Sequence, residues 1–423
     1  MSAVYNIGIR IYGFSILVAS FFNEKAKKWR IGRKSIFDKI ANDLKDNSQP
    51  VAWFHCASLG EFEQGRPVIE EFRKKFPHYK ILLTFFSPSG YEARKDYKEV
   101  DYIFYLPLDT KSNSKKFIEI IKPSIAIFVK YEFWFNYLNE LKGKSIPTFL
   151  VSAKFREDQY FFKGTGAWFR KQLHNYNTMF VQDEGSETLL KKYGITNVVV
   201  CGDTRFDRVI EIATQQYSNP LVTKFKNNQL LWICGSTWEE DEKLIFPIFQ
   251  KLIRTGVKIK LLIAPHEVSE ERIKSIESNY AMTLRYSGAT ENNISAANIL
   301  IIDKMGLLSY LYRFGEIAYV GGGFGKGIHN LAEAAVYGIP VLFGSNHKKF
   351  TEAAELIKCG GGFSISTLDE LDNYISKLIS DDAYRKGSGA SGAAYIFSGK
   401  GATEKIITDL IKIIPTNQGG LFI

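Results

Sequence analysis

The chain has little cysteine: Cys56, Cys201, Cys234 and Cys359 are its four, far apart and without a C-x-x-C pair. That spacing argues against a disulfide framework and a thiolate zinc site, and it suits a reducing compartment. Histidine is scarce as well. The six are scattered, with no H-E-x-x-H and no carboxylate cage, so no metal is expected. No Arg-rich helix or aromatic–basic stripe of a nucleic-acid module stands out, and nucleic acid is discounted as a partner. Fixed-period repeats and low-complexity tracts are also missing. What is present suits a folded body: 45% hydrophobic and 24% charged residues over 423 positions, enough for two domains. The net charge of +10 favours anionic partners such as phosphorylated ligands or an acidic membrane face, or serves solubility alone.

The amino terminus differs from the rest. From Tyr5 to Phe22 the only charge is Arg10. The run is borderline for a spanning helix, which needs about 20 apolar residues. Ile7, Ile11, Phe14 and Val18 fall on one helical face, with Asn6 and Arg10 towards the other edge. Lys25, Lys27, Lys28, Arg30, Arg33 and Lys34 follow at once, a cluster that holds this side at an anionic cytoplasmic leaflet. A cleaved signal peptide fits poorly, since no charge precedes the apolar core and no small-x-small site follows it. A buried core helix is the competing reading. Residues 1–34 are therefore expected to form an interfacial or shallow anchor, with the body on the cytoplasmic side of the inner membrane.

From Val51 onwards short β-rich runs alternate with helical stretches, the order of βαβ units and a parallel sheet. The expected divisions are a first Rossmann-like domain over 35–214, a polar linker over 215–228 carrying Pro220, and a second Rossmann-like domain over 229–400. A closing helix and loose tail fill 401–423. The fold class is α/β, two doubly wound domains facing a central cleft.

Four constellations follow strands. His55-Cys56-Ala57-Ser58-Leu59-Gly60-Glu61 puts a carboxylate at a helix start, where it can act as a base or merely complement the helix dipole. Lys130-Tyr131-Glu132-Phe133-Trp134 has the charged and aromatic make-up of a cleft wall, or of a surface ion pair. In Gly202-Asp203-Thr204-Arg205-Phe206-Asp207, Arg205 can meet a phosphate or be held by Asp207. The strongest is Val320 to Glu333, VGGGFGKGIHNLAE, a strand running through five glycines into a helix. Its backbone can approach a phosphate closely, although Asn330 and Glu333 also read as a capping box. The spacing matches neither the P-loop nor G-x-G-x-x-G, which disfavours ATP and NAD. Gly235-Ser236-Thr237 and Pro265-His266-Glu267 are weaker candidates for contacts to phosphate and base.

Together these segments resemble the Kdo (3-deoxy-D-manno-octulosonic acid) transferases, glycosyltransferase family 30, of the GT-B fold. The resemblance runs from the anchor to about Ile379 and rests on S-L-G-E near residue 60, G-D-T-R-F-D, and H-N-L-A-E-A with the following G-I-P-V-L-F-G. It implies that Glu61 is the catalytic base and that Lys130 and Arg205 occupy the transition-state-stabilising positions. It places CMP contacts on Pro265 and His266, on Met305, Gly306 and Leu307, and on Asn330, Leu331, Ala332 and Glu333. The implied reaction transfers Kdo from a CMP-Kdo donor to the lipid A precursor, lipid IVA, with inversion and with neither metal nor cofactor. The chain departs from the family pattern at Lys130 (usually acidic), Arg205 (commonly Lys), His266 (usually Arg) and Leu307 (usually Glu), while Glu132, Trp134 and Asn136 are retained. The competing functions are a GT-B transferase or epimerase using a UDP-sugar, and a non-catalytic nucleotide- or lipid-binding protein.

Overall fold

The computed structural model describes residues 2–325 and 327–414. Lys326 of the glycine-rich run and the expected loose tail lie outside the described residues. The chain forms two compact units: the residues up to Asp207 together with those from Gly401, and Arg208–Lys400.

The first unit is built on seven parallel strands: β1 (Val51–Cys56), β2 (Lys80–Phe85), β3 (Tyr102–Tyr105), β4 (Pro123–Val129), β5 (Thr148–Ala153), β6 (Thr178–Val181) and β7 (Val198–Val200). Their order is β3-β2-β1-β4-β5-β6-β7. Helices cover both faces, so β1 is buried at every position. Alternate residues feed two cores: Trp53, Leu82, Phe128 and Leu150 on one face, Phe54, Leu83, Ile127 and Val151 on the other. The closing helix, Ala402–Ile413, belongs to this unit and adds Ile406, Ile407 and Leu410 to the second core. Asp207 fastens its start by accepting from the backbone N–H of Gly401 and of Thr403, each at 2.6 Å.

The amino-terminal helix, Ser2–Ala19, buries none of its residues, which overturns the core-helix alternative. The apolar face read from the sequence is the outward one: Ile7, Ile11, Phe14 and Val18 are exposed, with Val4, Phe21 and Phe22 beside them. The opposite face is docked. Tyr5 donates to the buried Asp109 at 2.6 Å, and Asn136 donates to Asn6 at 3.0 Å. Asp109 also accepts from the N–H of Asn136 and of Tyr137, each at 3.1 Å, capping the helix Phe135–Gly143. Burial pushes the Asp109 carboxyl up to about 6. The basic cluster needs one correction. Arg33 is turned inward, stacked 3.8 Å from Trp29 and donating to the carbonyls of Leu106 and Phe86 at 2.8 and 2.7 Å. It is a structural residue, because those three aromatic and carbonyl partners offer a better site than solvent.

The second unit repeats the plan with β8 (Leu230–Thr237), β9 (Ile259–Pro265), β10 (Thr283–Arg285), β11 (Ile299–Ile301), β12 (Ile317–Val320), β13 (Val341–Gly344) and β14 (Gly362–Ile365). The order is β10-β11-β9-β8-β12-β13-β14. The segment expected as a polar linker contains a helix, Pro220–Lys226, capped by Asn219 with Val222 and Phe225 buried. The division between units falls earlier, at Asp207 and Arg208. In each sheet the winding direction reverses beside its first strand, between β1 and β4 and between β8 and β12. Doubly wound sheets bind ligands at the carboxyl ends of such strands.

Candidate active site

In the first unit, the chain leaves β1 through Ala57 and Ser58 and enters the helix Leu59–Lys75. Ser58 caps that helix, accepting from Gly60 N–H at 3.2 Å, and its hydroxyl bonds the carboxylate of Glu61. Glu61 is half-buried in the first turn, where the helix dipole also favours its charge.

At the end of the neighbouring β4, Lys130 takes a left-handed conformation, φ +72°, and its N–H bonds the Val151 carbonyl at 2.8 Å. The chain then delivers Glu132 into the interior. Its carboxylate lies 3.2 Å from His55 Nε2 and accepts from the Trp134 indole. His55 is fully buried, and its Nδ1 is 2.8 Å from Thr84 Oγ1, which accepts from the Trp53 indole at 2.8 Å. This network supports the strand ends from beneath. Burial first, then the charges of Glu61 and Glu132, push the Cys56 thiol up, so Cys56 is not a nucleophile.

Arg205, in the first turn of the helix Thr204–Thr214, is gripped by Asp203, with contacts of 2.6 to 3.2 Å. The sequence offered Asp207 for that task; Asp207 instead holds the closing helix. Burial raises the Asp203 carboxyl, but Arg205 and then Lys130 outweigh it and hold it below the usual range. Lys130 and Arg205 thus both act on the Asp203 carboxylate.

In the second unit, the ends of β8 and β12 are knitted together by Asp241. It accepts from the N–H of Trp238 and of Gly322, each at 2.9 Å, and from the Tyr319 hydroxyl at 2.9 Å. The glycines are needed for close approach. A Cβ on Gly321 would sit 2.4 Å from the Ser236 carbonyl oxygen, and one on Gly323 would sit 2.5 Å from Gly344 Cα. Gly322 and Gly327 have φ of +92° and +118°. Over this turn three rings stack: His266 lies 4.6 Å from Trp238 and 4.4 Å from His329. The Trp238 indole donates to His329 Nε2 at 3.3 Å.

His266 follows Pro265, the last residue of β9, and its N–H bonds the Thr237 carbonyl at 2.9 Å. Met305, Gly306 and Leu307 follow β11 and lead into a turn whose Leu308 and Tyr312 pack on Gly235, at the end of β8. Asn330 donates to Glu333 at 3.0 Å and accepts from Ala332 N–H at 3.2 Å. Leu331 and Ala332 are buried, so they can reach a ligand only through their backbone. The helix expected after the glycines is a single turn, Ala332–Ala335. Pro265, His266, the 305–307 loop and 330–333 therefore belong to one sheet end of this unit, as Glu61, Lys130 and Arg205 do in the first.

Sequence reasoning passed over Thr84, Trp238 and Asp241 and gave Asp203 no role. Asp241 carried one legible signal, an acidic residue three places after the end of a strand-turn, where it caps the next helix. Burial first, then His266, pull the His329 imidazole down to about 4 from 6.5. Its folded value is depressed, so the stability it contributes is present above 6.5 and is lost as pH falls towards 4. An NMR titration of the imidazoles is expected to show His329 with a midpoint near 4. A midpoint at 6.5 would mean that the stack is open to water.

These geometries bear comparison with known proteins. A family model described as 3-Deoxy-D-manno-octulosonic-acid transferase (kdotransferase) matches residues 30–208. Among curated proteins, the 3-deoxy-D-manno-octulosonic acid transferase of Aquifex aeolicus is 28% identical over 79% of this chain and 87% of its own. That of Rickettsia bellii is 26% identical over 82% and 83%. Among solved structures, UDP-GlcNAc 2-epimerase from Neisseria meningitidis bound to UDP-GlcNAc gives a TM-score of 0.60 at 15% identity, covering 86% of this chain and all of that one. MurG of Acinetobacter baumannii gives 0.53 at 12% identity, over 86% of this chain and all of its own. The solved structures share the two-domain GT-B arrangement of parallel sheets; at such identities they speak for the fold alone.

Proposed function

As a glycosyltransferase of the Kdo transferase family, this chain, we propose, moves Kdo from CMP-Kdo to the lipid A precursor in a single inverting displacement that needs no metal. The observation that carries the chemistry is Glu61: a half-buried carboxylate at the end of β1, fixed by Ser58 on a rigid helix start. It takes the proton of the acceptor hydroxyl as that oxygen attacks the anomeric carbon. The bond from that carbon to the CMP phosphate oxygen breaks, and the phosphate gains negative charge. Lys130 and Arg205 answer that charge. Both side chains act on the Asp203 carboxylate, which keeps the two cations together on this unit.

The nucleotide is held by the second unit. The β8 and β12 ends and the 330–333 segment receive the phosphate and ribose, Glu333 accepting from ribose hydroxyls, and His266 offers a flat face to the base. The outward apolar face of Ser2–Ala19, followed by exposed Lys25, Lys27, Lys28 and Lys34, holds the enzyme at the cytoplasmic surface of the inner membrane, beside its lipid acceptor. The test is mass spectrometry of the lipid after incubation with CMP-Kdo and tetraacylated precursor. The expected result is a lipid heavier by whole Kdo residues, with matching release of CMP. An unchanged lipid, or turnover of a UDP-sugar in place of CMP-Kdo, would overturn the proposal.

A further inference from the structure

We infer that His55 is a positioning residue for the proposed transfer: anchored by Thr84, its Nε2–H holds the Glu132 carboxylate, and with it the turn that carries Lys130. The inference rests on the glycosyl-transfer reading above and adds the side chains that keep Lys130 in place.

That turn needs holding. Lys130 leaves β4 at φ +72°, a conformation that residues other than glycine seldom keep unless their surroundings impose it. Its N–H is tied to the Val151 carbonyl at 2.8 Å, which fixes one end. The other end is fixed through Glu132, two residues on. Its main-chain carbonyl accepts from the Tyr176 hydroxyl, and its carboxylate accepts from the Trp134 indole. Glu132 is only 5% exposed, so its carboxylate must find donors in the protein rather than in water. His55 supplies the second one.

The neighbours of His55 decide how its ring is used. Nε2 lies 3.2 Å from the Glu132 carboxylate, and a bare lone pair there would repel it. Nε2 therefore carries a hydrogen and donates. The Trp134 indole, 3.1 Å from the same nitrogen, turns its N–H to Glu132 alone. The far edge of the ring is held by Thr84: Nδ1 lies 2.8 Å from its Oγ1 and 3.2 Å from its carbonyl. Thr84 Oγ1 is pinned in turn, accepting from the Trp53 indole at 2.8 Å. Trp53, His55 and Thr84 are fully buried, so a partner lost from this chain is not replaced by water.

The chain of contacts joins β2, β1 and the loop after β4, three neighbouring strands of the sheet. Its last link bears on the chemistry. Lys130 and Arg205 both act on the Asp203 carboxylate. Release of Glu132 lets the turn relax and draws Lys130 away from that pair. Glu61 is held separately by Ser58, and the candidate CMP contacts lie in the second unit, so neither is bonded to His55. A purely structural pair would cost stability whatever stood at position 130. A positioning role acts only through Lys130.

The test uses the full chain, with kcat and KM read from CMP release on CMP-Kdo and tetraacylated acceptor. Thr84→Val keeps the shape of the side chain and removes the hydroxyl. Its kcat is expected to fall about five- to tenfold, the worth of one buried hydrogen bond, with the KM for CMP-Kdo unchanged. Thr84→Ser returns the hydroxyl and is expected to stay within about twofold of the unmodified chain. In a Lys130→Ala background, Thr84→Val is expected to change kcat by less than about twofold, because the two changes remove one interaction. A second pair works at the ring itself, since His55→Gln returns an N–H near the Nε2 position and His55→Phe does not. There kcat is expected to fall less than about threefold for His55→Gln and more than about tenfold for His55→Phe. An unchanged kcat in Thr84→Val, no rescue by Thr84→Ser, or the same factor lost with and without Lys130 overturns the positioning role. No CMP release by the unmodified enzyme removes the transfer reading itself, and the role of His55 with it.

Discussion

Glu61→Gln is expected to lower kcat by about a thousandfold, the scale of losing a general base, with CMP affinity unchanged. The substitution keeps the side chain's size and its place beside Ser58, so the helix start survives. What it removes is the basic oxygen. The two readings of Glu61 separate cleanly here. If the carboxylate only complements the helix dipole, its loss costs about 0.3–1 kcal/mol of stability and leaves the rate almost intact. If it takes the acceptor's proton, turnover fails while the fold stands. Every candidate CMP contact lies in the second unit, so calorimetric titration with CMP is expected to match the unmodified chain. Initial rates of CMP release, with acceptor present, supply the other half. Normal turnover by the variant would remove Glu61 from the chemistry.

Gly321→Ala is expected to weaken CMP binding by about ten- to a hundredfold, the equivalent of about 1–3 kcal/mol of forced overpacking. The added Cβ would meet the Ser236 carbonyl at 2.4 Å, Asp241 Oδ2 at 2.6 Å and Thr237 Cα at 2.7 Å. Two of these are backbone atoms and cannot swing aside. The ends of β8 and β12 must part, and the shared cap from Asp241 to Trp238 and Gly322 is broken with them. A matched control lies in the same unit. Gly387 sits in the helix Asp382–Ser398 with nothing within 4 Å of an added Cβ. Gly387→Ala is expected to bind CMP normally and to gain about 0.5–1 kcal/mol of stability. Equal CMP affinity for Gly321→Ala and Gly387→Ala would show that the β8 and β12 ends do not form the nucleotide site.

The sheets were legible because their strands are short apolar runs punctuated by glycine and charge. The outward face of the first helix was legible for a similar reason: Ile7, Ile11, Phe14 and Val18 keep helical spacing whether the face meets a core or a membrane. The same spacing cannot say which; the docking of Tyr5 and Asn6 turns that face outward, away from the core of this unit. Tertiary pairings were hidden. Asp203 and Asp207 stand equally far from Arg205 in sequence, and nothing local tells which one grips it. Arg33 looks like one more surface cation until Trp29, Phe86 and Tyr105 gather round it. The His55–Glu132 pair joins two strands far apart in the chain, so no local pattern could announce it. The helix Pro220–Lys226 is a different case. Asn219 before Pro220 is a helix start in plain view, and polarity alone concealed it.

The most direct measurement is the anomeric configuration of Kdo in the product, read by NMR against that in the donor. One displacement driven by Glu61 as base leaves the configuration opposite to that of CMP-Kdo. The same configuration in donor and product would require a glycosyl intermediate on the enzyme, and Glu61 would no longer be the residue that prepares the acceptor.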